Sequence, residues 1–308
     1  MFDVSVIICA HNPREKYLER TLSALRLQTL PQDHWELLVV DNASSRSLAN
    51  AWDLSWHSYA KHVSEPELGL AAARKCGINE SSGDLLIFVD DDNVLAPNYL
   101  TEAVRIAKDC RFLGAWGSGS IAPEFEVEPA HHLRPLVPGL ALRDIDRPIW
   151  ANFIFCDQAT PVGAGLCVRR HVAKAYLDHC AASSIHISGR KGSALGGHGD
   201  FEICYMACQS GLGMGLFPEL EIVHLIPKER VSEKYFLKLA EGTQLTGGLL
   251  AYKWTGSIPR SPLSLRGLAS IAKNVLLRRG FARQVYLATL RGEVAAWKLI
   301  TNLAAGQR

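Results

Sequence analysis

Apolar residues in the first ninety or so positions gather in short unbroken runs instead of alternating with polar ones. Val4-Ser5-Val6-Ile7-Ile8 lies within 2–10, Glu36-Leu37-Leu38-Val39-Val40 within 35–40, and Leu85-Leu86-Ile87-Phe88-Val89 follows Gly83-Asp84. Runs of this length, rich in β-branched residues, predict strands buried on both faces. After the first run, Leu18, Leu22, Leu25 and Thr29 recur at helical spacing, and Asn12, Pro13 and Glu15 predict a capped helix start ahead of them. A second, shorter helix is expected over 71–78. Strand, helix, strand, helix, strand in this order implies right-handed crossovers and a largely parallel sheet.

Each run stops on polar residues. The first ends at His11-Asn12, the second at Asp41-Asn42, and the third at Asp90-Asp91-Asp92-Asn93. Ligands of open α/β sheets gather where strands reach their carboxyl ends. Three carboxylates at one strand end repel one another, and a divalent cation is the simplest compensation. Hard oxygen ligands suit Mg²⁺ or Mn²⁺. The other reading of Asp-Asp-Asn is a polar turn.

Composition narrows the class without changing this picture. A chain of 308 residues with 48% hydrophobic content supports one large domain or two fused halves around a sizeable core. The net charge of +2 gives no global attraction to nucleic acid. Eight cysteines form no CxxC pair, and several sit in apolar patterns, so reduced thiols and a cytoplasmic setting are expected. Met1-Phe2-Asp3 leads straight into a strand with no secretory signal, and no apolar stretch reaches the roughly 20 residues a bilayer span needs.

Together, Val4 to Asn12, Val39-Val40-Asp41-Asn42-Ala43-Ser44, Gly69-Leu70-Ala71-Ala72-Ala73-Arg74 and Phe88-Val89-Asp90-Asp91-Asp92 resemble successive signatures of family 2 glycosyltransferases. The resemblance runs from about Val4 to about Leu237. It implies a GT-A (Rossmann-like) α/β fold, with a mostly parallel central sheet flanked by helices, and an inverting enzyme dependent on a nucleotide sugar. Carried onto this chain, it puts His11, Asn12 and Asp41 around the nucleobase, usually uracil, and Arg74 near the diphosphate. Asp90 then lies by the ribose with Asp91 beside it, and Asp92 is the direct ligand of Mn²⁺ or Mg²⁺.

The second half resembles the acceptor side of the same family. Pro161-Val162-Gly163-Ala164-Gly165-Leu166 is similar to its glycine-containing strand, where small residues let a sugar approach the backbone. A Ser- and Gly-rich loop over 183–199 leads into Asp200-Phe201-Glu202, which resembles the family's Glu-Asp-x-Glu start of a helix and implies Asp200 as catalytic base. Gly199 stands where that pattern has a glutamate, with His198 as a neighbour that could compensate. His224, in Ile222-Val223-His224-Leu225-Ile226, is the implied second metal or diphosphate ligand. Arg230, in the segment after it, is implied to close on the diphosphate. The 121–150 segment, rich in Pro and His, matches no motif and is assigned to acceptor recognition by position alone.

These features divide the chain into a GT-A domain over 1–237, made of a nucleotide-sugar half (1–115) and an acceptor half (116–237), and a C-terminal region over 238–308. Past Gly256 that region carries Arg260, Arg266, Lys273, Arg278, Arg279, Arg283, Arg291, Lys298 and Arg308 against the single acid Glu293. Leu265, Leu268, Ile271, Ala272 and Val275, then Val285, Leu287, Leu290, Val294 and Trp297, repeat at helical spacing. Basic amphipathic helices of this kind either dock on anionic lipid at the inner face of the cell membrane or pack on protein. The expected activity is sugar transfer from a nucleoside diphosphate, with UDP as carrier, to a hydroxyl of a glycan or lipid-linked acceptor in cell-surface polysaccharide synthesis. Two alternatives stand beside it. One is a nucleotidyltransferase, which would open on a glycine- and arginine-rich phosphate loop instead of His11-Asn12-Pro13. The other is a nucleotide-sugar-binding scaffold that has lost its base, which product formation separates from an enzyme.

Overall fold

The computed structural model describes residues 2–185 and 195–306. Most of the serine- and glycine-rich loop, 186–194, lies outside the described residues. The described chain forms two units: 1–126, 138–183 and 200–226 make the first, and 127–137, 184–199 and 227–308 the second.

The first unit is a sheet with helices packed on it. Its elements in chain order are β1 (Val4–Ala10), α1 (Glu15–Arg26), β2 (Trp35–Asn42), β3 (Ala60–Glu65), α2 (Leu70–Glu80), β4 (Leu85–Asp90), β5 (Asn93–Leu95), α3 (Tyr99–Asp109), β6 (Leu113–Phe125), β7 (Arg143–Asp144), β8 (Ile149–Ala151), β9 (Leu166–Arg169), α4 (Arg170–Ala182), α5 (Gly199–Gln209) and β10 (Gly213–Ile226). The strand order is β3-β2-β1-β4-β9-β6-β10-β5, with β7 beside β6 and β8 beside β10. The long ladders β1/β2, β1/β4, β2/β3 and β6/β10 are parallel. The antiparallel contacts made by β5, β7, β8 and β9 are short.

The unbroken apolar runs are strands covered on both faces, as the sequence predicts: β1, β2 and β4 are almost wholly buried. α2 packs on β1 and β2, and α3 on β10. Trp35, Trp116 and Tyr99 fill the core with no exposed surface beyond 1%. Tyr99 keeps its hydroxyl satisfied there by donating to the Gly165 carbonyl at 2.7 Å, with Ser118 Oγ at 2.8 Å. The edge strand β3 had no sequence signal, because Ala-Lys-His-Val-Ser-Glu alternates too weakly to stand out.

One expectation fails locally. The predicted capping box at Asn12 and Glu15 does not form; α1 starts at Glu15 behind Arg14, with no side-chain cap. Asn12 instead takes a left-handed φ of 46° and spends its side chain on the neighbouring turn.

At the opposite ends of these strands, buried Glu36 ties β1, β2 and β4 together. Glu36 Oε1 accepts from Ser5 Oγ at 2.6 Å and from both the amide and hydroxyl of Ser82, while Ser5 Oγ accepts from Gly83 N at 2.7 Å. Burial alone would push this carboxyl up, but these donors outweigh it and hold it below the usual glutamate range. A lowered folded-state pKa stabilises the fold above the ordinary glutamate range, and that contribution is lost as pH falls through the lowered value. Glu36→Gln is therefore expected to cost about 1–3 kcal/mol at neutral pH, because donors lose their ionised acceptor. The gap between the two proteins should close as the buffer is made acidic, which denaturant unfolding at a series of pH values would check.

The second unit carries α6 (Glu233–Thr255), α7 (Leu265–Leu277) and α8 (Gly280–Gly306). α6 and α8 pack closely because small residues meet: a Cβ on Gly292 would overlap the Glu241 carbonyl, and one on Gly248 would lie 2.8 Å from Ala296 Cβ. Tyr252, Ala296 and Ile300 form the centre of this contact, with Leu245, Leu249 and Leu303 around them. Among the described residues, no helix is long and apolar enough to cross a membrane.

Candidate active site

The polar ends of β1, β2 and β4 meet side by side. The register pairs Ala10 with Asp41 and Cys9 with Asp90, so the two carboxylate-bearing strand ends flank the exit of β1. Immediately beyond, His11 Nδ1 donates to the Asn42 carbonyl at 2.7 Å. A carbonyl only accepts, so Nδ1 carries the proton, and Nε2 then accepts from Asn12 Nδ2 at 3.1 Å. Asn12 Oδ1 accepts from the amide and hydroxyl of Ser45, both at 2.8 Å, and Asn12 N donates to Ser44 Oγ. The side chain that sequence reasoning gave to a helix cap thus stitches the β1 and β2 turns together.

Asp41 organises the same turn from the other side. Its two oxygens accept from Ser44 N at 3.1 Å and Leu48 N at 2.9 Å. Burial pushes its carboxyl up, yet the Leu48 and Ser44 donors and the nearby His11 outweigh that and hold it below the ordinary aspartate range. Asn42, given no role by the sequence, is buried and braces the next loop: it donates to the carbonyls of Glu65 and Glu67 and accepts from Gly69 N at 2.8 Å. Gly69 has a φ of 146°, where a side chain would be strained, and it opens α2, the helix that carries Arg74.

The acidic run splits into two roles. Asp90 and Asp91 are half-buried at the end of β4, whereas Asp92 is 5% exposed. The β5/β10 pairing sets Asn93 opposite His224, and Leu225 N donates to the Asp92 carbonyl at 2.9 Å. As a result His224 Nε2 lies 3.6 Å from Asp92 Oδ2, although the two are far apart in sequence. Asn93 Nδ2 steadies the other oxygen, donating to Asp92 Oδ1 at 3.1 Å. Tyr17 of α1 lies close to the same centre: burial pushes its hydroxyl up to about 12, helped by a hydrogen bond to Glu126 and by the Asp92 charge.

Among the described residues, no group of three or more His, Cys, Asp and Glu side chains could hold a metal ion unaided. Asp92 and His224 offer one oxygen and one nitrogen ligand. That fits an ion whose remaining positions are filled by phosphate oxygens and water, the usual arrangement for Mg²⁺ at substrate phosphates.

Asp200, in the first turn of α5, is held by two amides. Gly163 N donates to Oδ2 at 2.6 Å and Phe201 N to Oδ1 at 3.0 Å. Arg74 is buried against the Phe88 ring, its Cζ 5.7 Å from the ring centroid. Burial works against its charge, but Asp200, Asp90 and Cys9 more than offset this and keep the guanidinium firmly protonated. A Cβ at Gly163 would overlap Arg74 Nη2, so this glycine makes room for the guanidinium beside Asp200. Cys9, at the same strand end, is pushed up to about 12 by burial, although Arg74 opposes the rise.

Two of these relationships escaped the sequence. In the segment 161–166, whose small residues are expected to admit a sugar, Gly163 accommodates Arg74. Arg143 of β7 sits in the segment that matched no motif; burial lowers its pKa while the charges of Asp200 and Asp157 push it back up, so a second guanidinium lies within electrostatic range of the same carboxylate. The Gly199 departure has a local counterpart as well. Glu202, one turn into α5, is 2% exposed with His179 Nε2 3.7 Å from its Oε1, and Asp200 takes its orientation from Gly163 and Phe201. His198 belongs to the second unit, where its Nδ1 meets Thr246 Oγ1 at 2.9 Å. Arg230 lies in the 3-10 turn Lys228–Val231 and belongs to that unit, while the other candidates belong to the first.

Comparison with known proteins bears on the family and the fold. The profile described as Glycosyl transferase family 2 matches residues 5–161, half of the chain. Glycosyltransferase AglE of Haloferax volcanii is 36% identical over 92 residues, covering 29% of this chain and 30% of the relative. The undecaprenyl-phosphate 4-deoxy-4-formamido-L-arabinose transferase of Yersinia enterocolitica is 30% identical over 113 residues, 34% of each chain. The chain thus spans about a third of the length of these curated relatives. A mannosyltransferase of Pyrobaculum calidifontis, solved with GDP-mannose and Mn²⁺, shares the fold over 98% of this chain and 87% of its own, with a TM-score of 0.57 at 17% identity.

Proposed function

Since the chain belongs to glycosyl transferase family 2, we propose that it moves a sugar from a nucleoside diphosphate to an acceptor hydroxyl with inversion, using Asp200 as base. The observation that carries this reading is the buried guanidinium of Arg74, which lies beside Asp200 on α5 and also feels the charge of Asp90 at the donor-side strand end. A cation influenced by both carboxylates suits a reaction in which a departing diphosphate and an attacking hydroxyl occupy neighbouring sites.

In this reading residues 1–115 bind the donor and 116–237 the acceptor, with 238–308 as the helical C-terminal region. His11, Asn12 and Asp41 shape the nucleobase pocket, uracil being the base expected. Asp90 faces the ribose with Asp91 beside it, and Arg74 and Arg230 meet the diphosphate. Asp92 and His224 would hold Mn²⁺ or Mg²⁺, which when bound supplies Lewis-acid stabilisation of the charge developing on the leaving diphosphate. Asp200 accepts the acceptor hydroxyl's proton as that oxygen attacks the anomeric carbon from the face opposite the diphosphate. No enzyme nucleophile is needed. The acceptor is a glycan or a lipid-linked acceptor, the second supported by the Yersinia relative, whose name carries a lipid phosphate. The reaction belongs on the cytoplasmic side, a setting that suits eight free cysteines.

The test is a donor screen: purified protein with Mn²⁺ or Mg²⁺, a panel of nucleotide sugars and a set of glycan and lipid-linked acceptors, followed by release of nucleoside diphosphate. Metal-dependent release from one sugar is expected. Binding of a nucleotide sugar without release by any acceptor would favour the scaffold, and failure to bind any nucleotide sugar would overturn the reading. For the metal, Asp92→Ala is expected to weaken metal-dependent binding of the nucleoside diphosphate at least about tenfold, since even outer-sphere partners of a metal commonly contribute that much. Titration calorimetry with and without Mn²⁺ reads this without turnover. Equal Mn²⁺ dependence in the variant would contradict the assignment.

A further inference from the structure

The two amphipathic helices of the C-terminal region use their apolar faces differently. α8 buries Ala288, Gly292, Ala296 and Ile300, and its apolar stripe is consumed against α6. α7 buries no residue completely. Only Gly267, Ile271, Asn274 and Val275 are half-buried, and these fall on one side of the helix at about 100° per residue. Leu265, Leu268, Ala269, Ala272 and Leu276 fall on the other side and are exposed, with Leu265 at 88% and Leu276 at 80%. Leu277, 71% exposed, lies at the helix end about 120° round from Leu265 and off this face.

Solvent-facing leucines at successive turns of one helix are unusual on a protein surface unless something covers them. The charges beside them indicate what. Arg266 and Lys273 lie one turn position round from Leu265 and Leu276, both exposed, and Arg278 and Arg279 follow at the carboxyl end. No acid lies within α7, and past Gly256 Glu293 is the only one. An apolar face flanked by cations is complementary to an anionic lipid surface, where leucines reach the acyl boundary and cations stay among headgroups. A protein partner of the same chemistry would need an apolar surface ringed by acids, and this chain presents no acidic rim on α7 for a second copy to pair with.

We infer that α7 is an interfacial helix, which seats the protein on an anionic membrane surface through Leu265, Leu268, Ala272 and Leu276, with Arg266 and Lys273 on the headgroups. The inference is independent of the sugar and of the identity of the base. It narrows the docking surface from the whole basic C-terminal region to the outward face of one helix.

The test is co-sedimentation of the full chain with phosphatidylcholine vesicles, with and without phosphatidylglycerol, at low and high salt. Binding is expected only with the anionic lipid and should weaken as salt screens the cations. Each cation near such a surface multiplies partitioning about fivefold, so Arg266→Ser/Lys273→Ser should lower it about twenty- to thirtyfold. Leu265→Glu/Leu276→Glu should abolish it, with thermal unfolding unchanged because both positions face solvent. Three results would overturn the inference. One is a wild-type chain that ignores anionic vesicles at low salt, and another is a leucine variant that binds them equally well. The third is a wild-type dimer in sedimentation velocity that the leucine variant dissociates, which would assign the face to a second copy of the chain.

Discussion

Asp200→Asn is expected to lower sugar transfer by about 10²–10⁴-fold, the range over which a positioned general base contributes. Asparagine keeps the shape, but its one acceptor oxygen can serve only one of the two amides, Gly163 N and Phe201 N, that hold the carboxylate. It also lacks the ability to take the acceptor's proton. Arg74 loses one counter-charge in the variant but keeps Asp90, so the buried cation stays compensated and the fold should persist. Donor affinity should be retained, because the charge removed is negative and the diphosphate is an anion. Steady-state transfer beside calorimetric nucleotide binding separates these effects. Turnover close to wild type would remove Asp200 from the mechanism and leave the family assignment untouched.

Gly163→Ala is the second large effect, and it tests positioning. Its Cβ would overlap Arg74 Nη2 and lie 3.4 Å from Asp200 Oδ2, so either the guanidinium or the carboxylate must give way. Both are hemmed in: Arg74 rests on Phe88, and Asp200 is tied to the amide of residue 163 itself. A displacement of about 1 Å at a reacting group can cost about 10²-fold in rate. Overpacking should lower stability by about 1–3 kcal/mol, which leaves a folded protein to assay. The loss should appear in kcat more than in donor affinity. If the variant is as active as wild type, the contact between Gly163 and the Arg74–Asp200 pair has no catalytic consequence.

Much of the donor side was legible because it is local. β1, β2 and β4 are unbroken apolar runs, and Asp41, Asp90 and Asp92 stand directly at or just past their ends. The acceptor side was readable only through resemblance, since Asp200 carries no local mark beyond a helix start. Contacts that depend on tertiary approach were hidden. Nothing in Pro-Val-Gly-Ala-Gly says that Arg74, on a helix ninety or so positions earlier, fills the space beside Gly163. Arg143 lies on a two-residue strand whose place is set only by pairing with Ser120 and Ile121. The missing cap at Asn12 has the same cause: a side chain that can close a helix locally was recruited by Ser45 from another turn.

The strand order also fixes a sequence of events at the ribosome. β9 pairs with β4 on one side and β6 on the other, so the early strands β3-β2-β1-β4 cannot join the rest of the sheet until residues 166–169 have been made. Until then the apolar β4 edge presents unpaired backbone groups, the kind of edge that other nascent chains can extend. The Asp92–His224 pair waits longer still, for β10. The region matched by the family profile, 5–161, ends before either strand has emerged. A fragment cut at that boundary would keep the sequence signatures while leaving an open-edged, unfinished sheet.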